Sequence, residues 1–319
     1  MSKIIFMGTP EFAVPALQTL IETQTVVGVV TQPDRPAGRG KQLRPSPVKQ
    51  LAEAAGIPVY QPKSLRTPEH IVPLQAWDPE AIVVAAFGQI LRPHVLDLPP
   101  LGCYNVHASL LPRWRGASPI QHAIMAGDAQ TGISLMRMDP GLDTGPVHAQ
   151  QALPIMPDET AATLHDRLAA LGAAMLADHL DDILAGRLPA QAQDDRLATY
   201  APMIQKEAGQ LDWSRPGPDL DRHIRAMTPW PGAFTYWQGQ LLKVLAALPR
   251  PELNTGSEAP GRVLARHNAI LVVTGRGAIQ LESVQLAGKR ATTINDFVRG
   301  RPDFVGSLLQ PAPAGAAPA

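Results

Sequence analysis

The sequence lacks several patterns that would place it in a familiar class of protein. Its 319 residues include one cysteine, Cys103, so an intramolecular disulfide and a cysteine-ligated zinc site are both excluded. No apolar run reaches the roughly 20 residues that a membrane-spanning helix needs. The apolar run at residues 4–7 is too short for the core of a signal peptide, and no cleavage site follows it. These absences predict a cytoplasmic protein without a membrane span.

The ligand-binding signatures of three large enzyme classes are missing as well. Gly8-Thr9-Pro10 follows the first apolar run but does not continue into the G-x-G-x-x-G of dinucleotide-binding folds. No G-x-x-x-x-G-K-[S/T] phosphate loop and no H-E-x-x-H occurs, and the nine histidines show no ligand spacing. A dehydrogenase, an ATP-dependent enzyme and a metal site are therefore disfavoured.

Charge is scarce and unevenly distributed. Hydrophobic residues make up 45% of the chain and charged residues 18%, which is typical of a globular protein with a substantial core. The net charge is zero, but residues 1–205 carry 15 Lys and Arg against 19 Asp and Glu, whereas residues 206–319 carry 13 against 9. The second part therefore has a net charge of +4, a weak asymmetry that favours contact with a polyanion.

The first third of the chain alternates short apolar runs with helical patterns. Strands are predicted at residues 3–7, 26–31, 81–87 and 102–107. One of the helices between them is predicted to begin with Thr9 as its N-cap. This alternation predicts βαβ units and hence an α/β domain with a doubly wound parallel sheet. Such sheets bind ligands at the carboxyl ends of their strands.

The pattern changes after a long predicted helix at residues 160–184. Residues 187–218 turn polar and rich in proline, and a short helix near 220–227 precedes five apolar segments. These segments lie at 233–237, 241–247, 262–264, 269–274 and 279–286. Five short strands with one helix predict a small β-barrel of the oligonucleotide-binding (OB) type. The predicted organisation is a first domain at 1–188, a linker at 189–207, the barrel at 208–310 and a disordered tail at 311–319.

A basic loop at residues 32–47 separates the second strand from the next helix. It carries Arg35, Arg39, Lys41 and Arg44, with only Asp34 opposing them. Sixteen residues are long for such a connection, and long loops are often functional. Two interpretations remain open: a solvated loop, or a contact with the phosphate backbone of a nucleic acid.

The stretch 105–116 leaves the end of a predicted strand, where such folds place their active sites. Asn105 and His107 are two residues apart and face the same side of that strand. Asp139 and Asp143 follow in a turn rich in glycine and proline, which can bring one carboxylate to the histidine. An asparagine, a histidine and an aspartate suit acyl transfer, because N–H donors stabilise the oxyanion and the carboxylate orients the imidazole. A structural histidine beside an ordinary turn is the alternative.

These residues resemble the signature of an enzyme family. Asn105-Val106-His107-Ala108-Ser109-Leu110-Leu111-Pro112, followed by Asp143-Thr144-Gly145, is similar to the motif of formyltransferases that use 10-formyltetrahydrofolate. Further matches at residues 6–13, 32–40, 45–49, 113–117 and 230–231 narrow the resemblance to the methionyl-tRNA formyltransferase family. The resemblance runs from about residue 3 to residue 301.

The resemblance implies a Rossmann-like formyltransferase domain and an OB-like domain that binds tRNA. It implies that 10-formyltetrahydrofolate, a co-substrate, gives its formyl group to the α-amine of methionine on initiator tRNA, without a metal. The implied catalytic residues are Asn105, His107 and Asp143. The implied folate contacts are Ser109, Leu110, Leu111, Pro112, Phe87, Gly88, Gln89, Ile90 and Asp139. The implied tRNA contacts are Arg35, Arg39, Lys41, Arg44 and Lys206, of which Arg39 is the strongest candidate.

Two rival interpretations follow from the same residues. A formyltransferase acting on a small amine, such as an amino sugar nucleotide or a glycinamide ribotide, would carry the same catalytic motif but would need neither a basic loop nor a positive second domain. A non-catalytic RNA-binding module would not need the complete Asn105, His107 and Asp143 set. Ser118 and Met203 depart from the family pattern, which has alanine and lysine there. No obligate association is indicated, so we expect a monomer.

Overall fold

The computed structural model describes residues 1–37, 42–266 and 268–311. By spatial proximity the chain groups into two compact units. The first comprises residues 1–119, 130–154 and 164–202, and the second comprises 120–129, 155–163 and the chain from 203 onward. Among the described residues, no helix combines the length and hydrophobicity that spanning a bilayer requires.

The first part of the chain, through residue 184, supplies strands and helices in alternation. Its strands are β1 (Lys3–Gly8), β2 (Thr25–Val30), β3 (Arg35–Ala37), β4 (Gln42–Arg44), β5 (Val59–Tyr60), β6 (Ala81–Ala85), β7 (Cys103–His107), β8 (Gln130–Arg137) and β9 (Val147–Pro154). Its helices are α1 (Val14–Thr23), α2 (Pro47–Ala54), α3 (Val72–Ala76), α4 (Pro93–Leu96), α5 (Pro119–Ala126) and α6 (Ala161–Leu184). Short 3₁₀ helices lie at Glu11–Ala13 and Pro68–Ile71, and another follows α6 at Asp195–Leu197.

The central sheet has the order β5-β2-β1-β6-β7-β8-β9. Its first five strands are parallel, and β8 and β9 add an antiparallel edge. The chain builds outward from β1 to β5 and then returns to β6 on the other side of β1, which is the strand-order reversal of a doubly wound fold. The predicted α/β class is confirmed, and each of the four predicted strands is found within two residues of its predicted limits.

The strands of the central sheet are continuous apolar runs in the sequence because they are buried. Every residue of β6 is buried, because the sheet is covered on both faces. Ile5, Met7, Val30 and Ile82 belong to one core cluster on this sheet and are fully buried. Burying a side chain of this size contributes about 1.5–3 kcal/mol, so each of these positions adds to the stability of the unit.

Three local features differ from the sequence-based expectations. The predicted N-cap at Thr9 is wrong: Pro10 precedes the short helix, and the Thr9 hydroxyl instead donates to the main-chain oxygen of Phe87 at 3.3 Å. Strands β8 and β9 are unpredicted. The basic loop is also not a plain coil, because β3 and β4 pair as an antiparallel ribbon.

The second unit is built on an antiparallel sheet. Its strands are β10 (Ala233–Trp237), β11 (Gln240–Arg250), β12 (Val263–Arg266), β13 (Ala269–Val273), β14 (Ala278–Leu286) and β15 (Thr292–Thr293), and its helices include α7 (Gly217–Ala226) and α8 (Ile294–Arg299). Short 3₁₀ helices lie at Lys206–Gly209 and Pro302–Phe304. The sheet order is β10-β11-β14-β13-β12, with β15 beside β14. The five predicted strands and the helix are all found, whereas closure into an OB-type barrel stays a prediction. The predicted disordered tail lies outside the described residues, apart from residue 311.

Candidate active site

Strand β7 presents the two candidate donors at the carboxyl end of the sheet. It lies between β6, where Val84 is opposite Asn105, and β8, where Ser134 is opposite His107. The period of two along a strand puts Asn105 and His107 on one face. His107 is 5% exposed, whereas Asn105 is half-buried. The amide of Asn105 is therefore more accessible to a substrate than the imidazole of His107.

The imidazole of His107 has an acceptor on each side. Its Nε2 lies 3.0 Å from the main-chain oxygen of Trp114, and because a carbonyl only accepts, Nε2 carries a hydrogen. Its Nδ1 lies 3.8 Å from Oδ2 of Asp143, which is within ion-pair range but too long for a hydrogen bond. The same Oδ2 accepts a hydrogen bond of 2.8 Å from the main-chain N–H of Gly116. Asp143 therefore acts on the ring as a close, fixed charge.

Only one of the two acids in the turn reaches the histidine. Asp139 turns back on its own loop, where Oδ1 accepts hydrogen bonds from the N–H of Gly141 at 3.1 Å and from Oγ1 of Thr144 at 2.7 Å. It stabilises the turn that carries Asp143 and is half-buried. Spacing alone left open which carboxylate faces His107, whereas the family resemblance implies Asp143, and in the structure it is Asp143 that lies beside the imidazole.

The loops around this carboxylate adopt conformations that side chains disfavour. Asp143 has φ +53° and Trp114 has φ +63°, both in the left-handed region. Gly145 is required by space, because a Cβ there would lie 1.9 Å from the main-chain oxygen of Arg137. Gly116 has φ +118°, which favours glycine. Conformations of this kind cost about 1–3 kcal/mol each and persist only where the surroundings hold them.

The stretch 109–112 is held by its own polar contacts. The hydroxyl of Ser109 donates to the main-chain oxygen of Arg113 at 2.6 Å, and Ser109 is fully buried. Ser134 donates to the main-chain oxygen of Ser109, and Gln150 donates to that of Leu111. Leu111 is buried, whereas Leu110 and Pro112 are half-buried. Sequence reasoning missed Ser134 and Gln150, because they lie on the unpredicted strands β8 and β9.

The predicted folate segment at residues 87–90 divides into anchors and exposed positions. Phe87 is 2% exposed and belongs to the core. Gln89 bonds to the main chain of Leu65 and Pro62, so its amide is occupied by the loop that it fastens. Gly88 is exposed with φ +81°, and Ile90 is 70% exposed. Gly88 and Ile90 are therefore the accessible members of the segment.

The single cysteine is not a nucleophile. Cys103 is buried, and burial raises the pKa of its thiol to about 12. A thiol with that pKa is neutral near pH 8 and cannot attack as a thiolate. Cys103→Ala is expected to keep kcat within about twofold of wild type while losing about 1 kcal/mol of stability. Steady-state kinetics and urea unfolding test this expectation. Rapid alkylation of native Cys103 by iodoacetamide at pH 8 would contradict it.

The basic ribbon places like charges opposite each other. Arg35 and Arg44 are exposed cross-strand partners on β3 and β4. The acid beside Arg35 in the chain, Asp34, is engaged elsewhere: it pairs with Lys49 at 2.7 Å and accepts from Gln61, and these hydrogen bonds lower the pKa of its carboxyl. Like charges directly opposite destabilise a ribbon, so this pair favours an external anion.

Of the other three predicted tRNA contacts, the structure describes only Lys206. Arg39 and Lys41 lie outside the described residues. Lys206 begins a 3₁₀ helix in the second unit and is exposed.

Within residues 1–37, 42–266 and 268–311, no group of three or more His, Cys, Asp and Glu side chains lies together as metal ligands would.

Two family models match the chain. The model described as formyl transferase matches residues 2–180, and the model described as formyl transferase, C-terminal domain, matches residues 203–302. The protein named methionyl-tRNA formyltransferase from Trichlorobacter lovleyi is 48% identical over 311 residues, which cover 97% of each chain. The protein of the same name from Pseudomonas paraeruginosa is 49% identical over 301 residues, which cover 94% of this chain and 96% of that protein.

Solved structures with the same fold are more distant in sequence. WlaRD, a sugar 3N-formyl transferase crystallised in the presence of dTDP and 5-N-formyl-THF, matches with a TM-score of 0.64 at 18% identity, covering 91% of this chain and 99% of its own. HypX from Aquifex aeolicus, in complex with tetrahydrofolic acid, matches with a TM-score of 0.60 at 18% identity, covering 100% of this chain and 50% of its own. At these identities the likeness concerns the fold alone.

Proposed function

This chain belongs to the methionyl-tRNA formyltransferase family, and on that premise we propose that it transfers the formyl group of 10-formyltetrahydrofolate to the α-amine of methionine on initiator tRNA. The product is N-formylmethionyl-tRNA, which serves translation initiation. The single observation that carries the proposal is the pairing of His107 with Asp143 at 3.8 Å, on the strand that also carries Asn105, in a chain 48% identical to a named relative over 97% of its length.

The residues at the site divide the chemistry among them. The amine of the aminoacyl ester titrates near pH 7–8, so a useful fraction is neutral and nucleophilic in the cell. Its nitrogen bonds to the formyl carbon, and the bond from that carbon to N10 of the folate then breaks. Asn105 supplies one N–H donor for the oxyanion. His107 supplies the other by turning its Nε2–H from the main-chain oxygen of Trp114 to the substrate, while Asp143 holds the ring in orientation. The attacking nitrogen loses a proton and the folate nitrogen gains one. Because the amine attacks the formyl carbon directly, no covalent enzyme intermediate is needed.

The residues near the strand ends fit a folate co-substrate. The exposed side chain of Ile90 offers apolar surface to a flat ring, and the open position of Gly88 leaves main chain accessible beside it. The main chain of residues 109–112 is held firmly enough to present fixed polar groups. We propose Leu110 and Pro112 as side-chain contacts, and we assign Ser109, Leu111, Phe87, Gln89 and Asp139 to shaping the pocket, because each is buried or bonded internally.

The basic ribbon favours a tRNA acceptor over a small amine. An amino sugar nucleotide or a glycinamide ribotide has no long phosphate backbone to meet the opposed Arg35 and Arg44. Phosphate contacts would position the RNA without reading its sequence. We propose that Arg39, Lys41 and Lys206 extend this basic surface. A non-catalytic RNA-binding module is disfavoured because the catalytic set is complete.

The double substitution of Arg35 and Arg44 by alanine is expected to raise KM for charged tRNA about tenfold and to leave KM for the folate unchanged. Each lost phosphate contact also reduces the salt dependence of tRNA binding, by a slope of about one per contact. Arg66→Ala, which removes an exposed arginine of the same unit, is the control. If tRNA affinity and its salt dependence are unchanged, the ribbon is a solvated loop that does not contact the tRNA.

The proposed function is tested by formyl transfer to methionine-charged initiator tRNA, with charged elongator tRNA and uncharged tRNA in parallel. Formylation of the charged initiator alone supports the donor, the acceptor and the reaction together. Folate turnover with small amines but not with charged tRNA would overturn the acceptor.

The remaining organisation follows from this activity. We propose a cytoplasmic location, because charged tRNA and initiating ribosomes are found there. We propose a monomer with a catalytic domain at residues 1–188, a linker at 189–207 and an OB-like tRNA-binding domain at 208–310. Gel filtration with light scattering tests the monomer. Limited proteolysis tests the linker, and cleavage is expected in its last part, because residues up to 202 group with the first compact unit.

A further inference from the structure

The loop that carries Asp143 is held in place by a side chain that no motif reveals. Nε2 of Gln193 donates hydrogen bonds to the main-chain oxygen of Asp143 at 2.8 Å and to that of Gly145 at 2.7 Å. Gln193 lies 50 positions further along the chain and is half-buried. Both amide hydrogens of Gln193 are therefore committed to the segment on which the catalytic carboxylate sits.

The orientation of the Gln193 amide is determined by Arg115. The side chain of Arg115 is 2% exposed and donates to Oε1 of Gln193 from Nε at 3.1 Å and from Nη2 at 2.9 Å. A guanidinium only donates and a main-chain carbonyl only accepts, so Oε1 must face Arg115 and the NH₂ must face the loop. Arg115 also pairs with Oδ1 of Asp195 at 2.8 Å. The network leaves the Gln193 amide one possible arrangement.

Gln193 thereby joins two loops that meet at one carboxylate. Arg115 is followed by Gly116, whose N–H donates to the Asp143 carboxylate at 2.8 Å. The main chain of Arg115 is itself bonded to the segment after Gln193, through Thr199 and Ala201. Both loops include left-handed residues, and such conformations persist only where neighbouring contacts hold them. Gln193 supplies contacts of this kind to both loops.

We propose that Gln193 is a positioning residue for formyl transfer, which keeps the Asp143 carboxylate at His107 by fixing the main chain of residues 143–145 against the Arg115 loop. This inference rests on the proposed function and adds a residue outside the catalytic motif. Displacing a catalytic group by about 1 Å can cost about 100-fold in rate, so loss of the two amide donors should act mainly on kcat.

The test compares Gln193→Glu and Gln193→Ala with the wild type. Glutamate keeps the size of the side chain and still accepts from Arg115, but it has no N–H for the two carbonyl oxygens. Both variants are expected to lower kcat about 10- to 100-fold, with KM for the folate and for charged tRNA within about threefold of wild type. The melting temperature of Gln193→Glu should fall only modestly, because two carbonyl oxygens lose their donor while the bond to Arg115 remains. Gln191→Ala is the control, because Gln191 is exposed and its main-chain bonds to Val147 persist in alanine.

Each outcome decides the matter. A kcat for Gln193→Glu within about twofold of wild type would overturn the inference. Parallel changes in kcat, both KM values and melting temperature would show a structural role only and would overturn it too. If Gln193→Ala fails to fold, Gln193→Glu alone decides. A wild-type enzyme that does not formylate charged initiator tRNA would overturn the proposed function and this inference together, whereas an active wild type with an unaffected Gln193→Glu would overturn the inference alone.

Discussion

Replacing Asn105 or His107 by alanine is expected to lower kcat about 100- to 1000-fold, the effect of losing one donor to an oxyanion. The structure supports a selective loss in catalysis, because both side chains project from one face of β7. The half-buried Asn105 is the more accessible of the two donors, whereas His107 is buried against the Trp114 carbonyl and the Asp143 carboxylate. Single-turnover rates at saturating tRNA and folate measure this effect directly.

Binding must stay intact for that interpretation to hold. Affinity for charged tRNA, measured by filter binding, should change less than about threefold in either variant, because phosphate contacts lie elsewhere on the chain. Asn254→Ala, an exposed position in the second unit, controls for handling and folding. Equal losses in kcat and in tRNA affinity would show that Asn105 and His107 do not act specifically in catalysis.

Asp143→Asn is expected to lower kcat about 100-fold or more while the loop keeps its conformation. Asparagine tolerates the left-handed φ of +53° and still offers an oxygen to the N–H of Gly116. What it loses is the negative charge 3.8 Å from Nδ1 of His107. The loss of activity should therefore come without a matching loss of stability, which calorimetry alongside the kinetics will show.

Two comparisons isolate the charge as the cause. Asp143→Ala removes the acceptor for Gly116 as well and places a residue that disfavours left-handed φ, so it should lose both activity and stability. Asp78→Asn makes the same chemical change at an exposed left-handed aspartate, φ +49°, and should leave kcat unaltered. Normal turnover by Asp143→Asn would show that the carboxylate charge is not used.

Sequence reasoning succeeded where the information is local. The apolar runs of β1, β2, β6 and β7 predicted a parallel sheet, because a strand buried on both faces must be apolar throughout. The spacing of Asn105 and His107 placed them together, because side chains alternate along any strand. The predicted Thr9 cap failed because a distant carbonyl, that of Phe87, competes for its hydroxyl.

The sequence by itself determined the α/β class, the second antiparallel unit, the family and the strand that carries the candidate donors. Only the tertiary structure decided how closely Asp143 approaches His107, that Arg35 and Arg44 pair across a ribbon, and that Gln193 holds the Asp143 loop. The physical reason is the distance along the chain over which each kind of interaction acts. Periodicity and propensity act over a few residues, whereas a hydrogen bond between positions 143 and 193 exists only once the intervening strand and helix have packed.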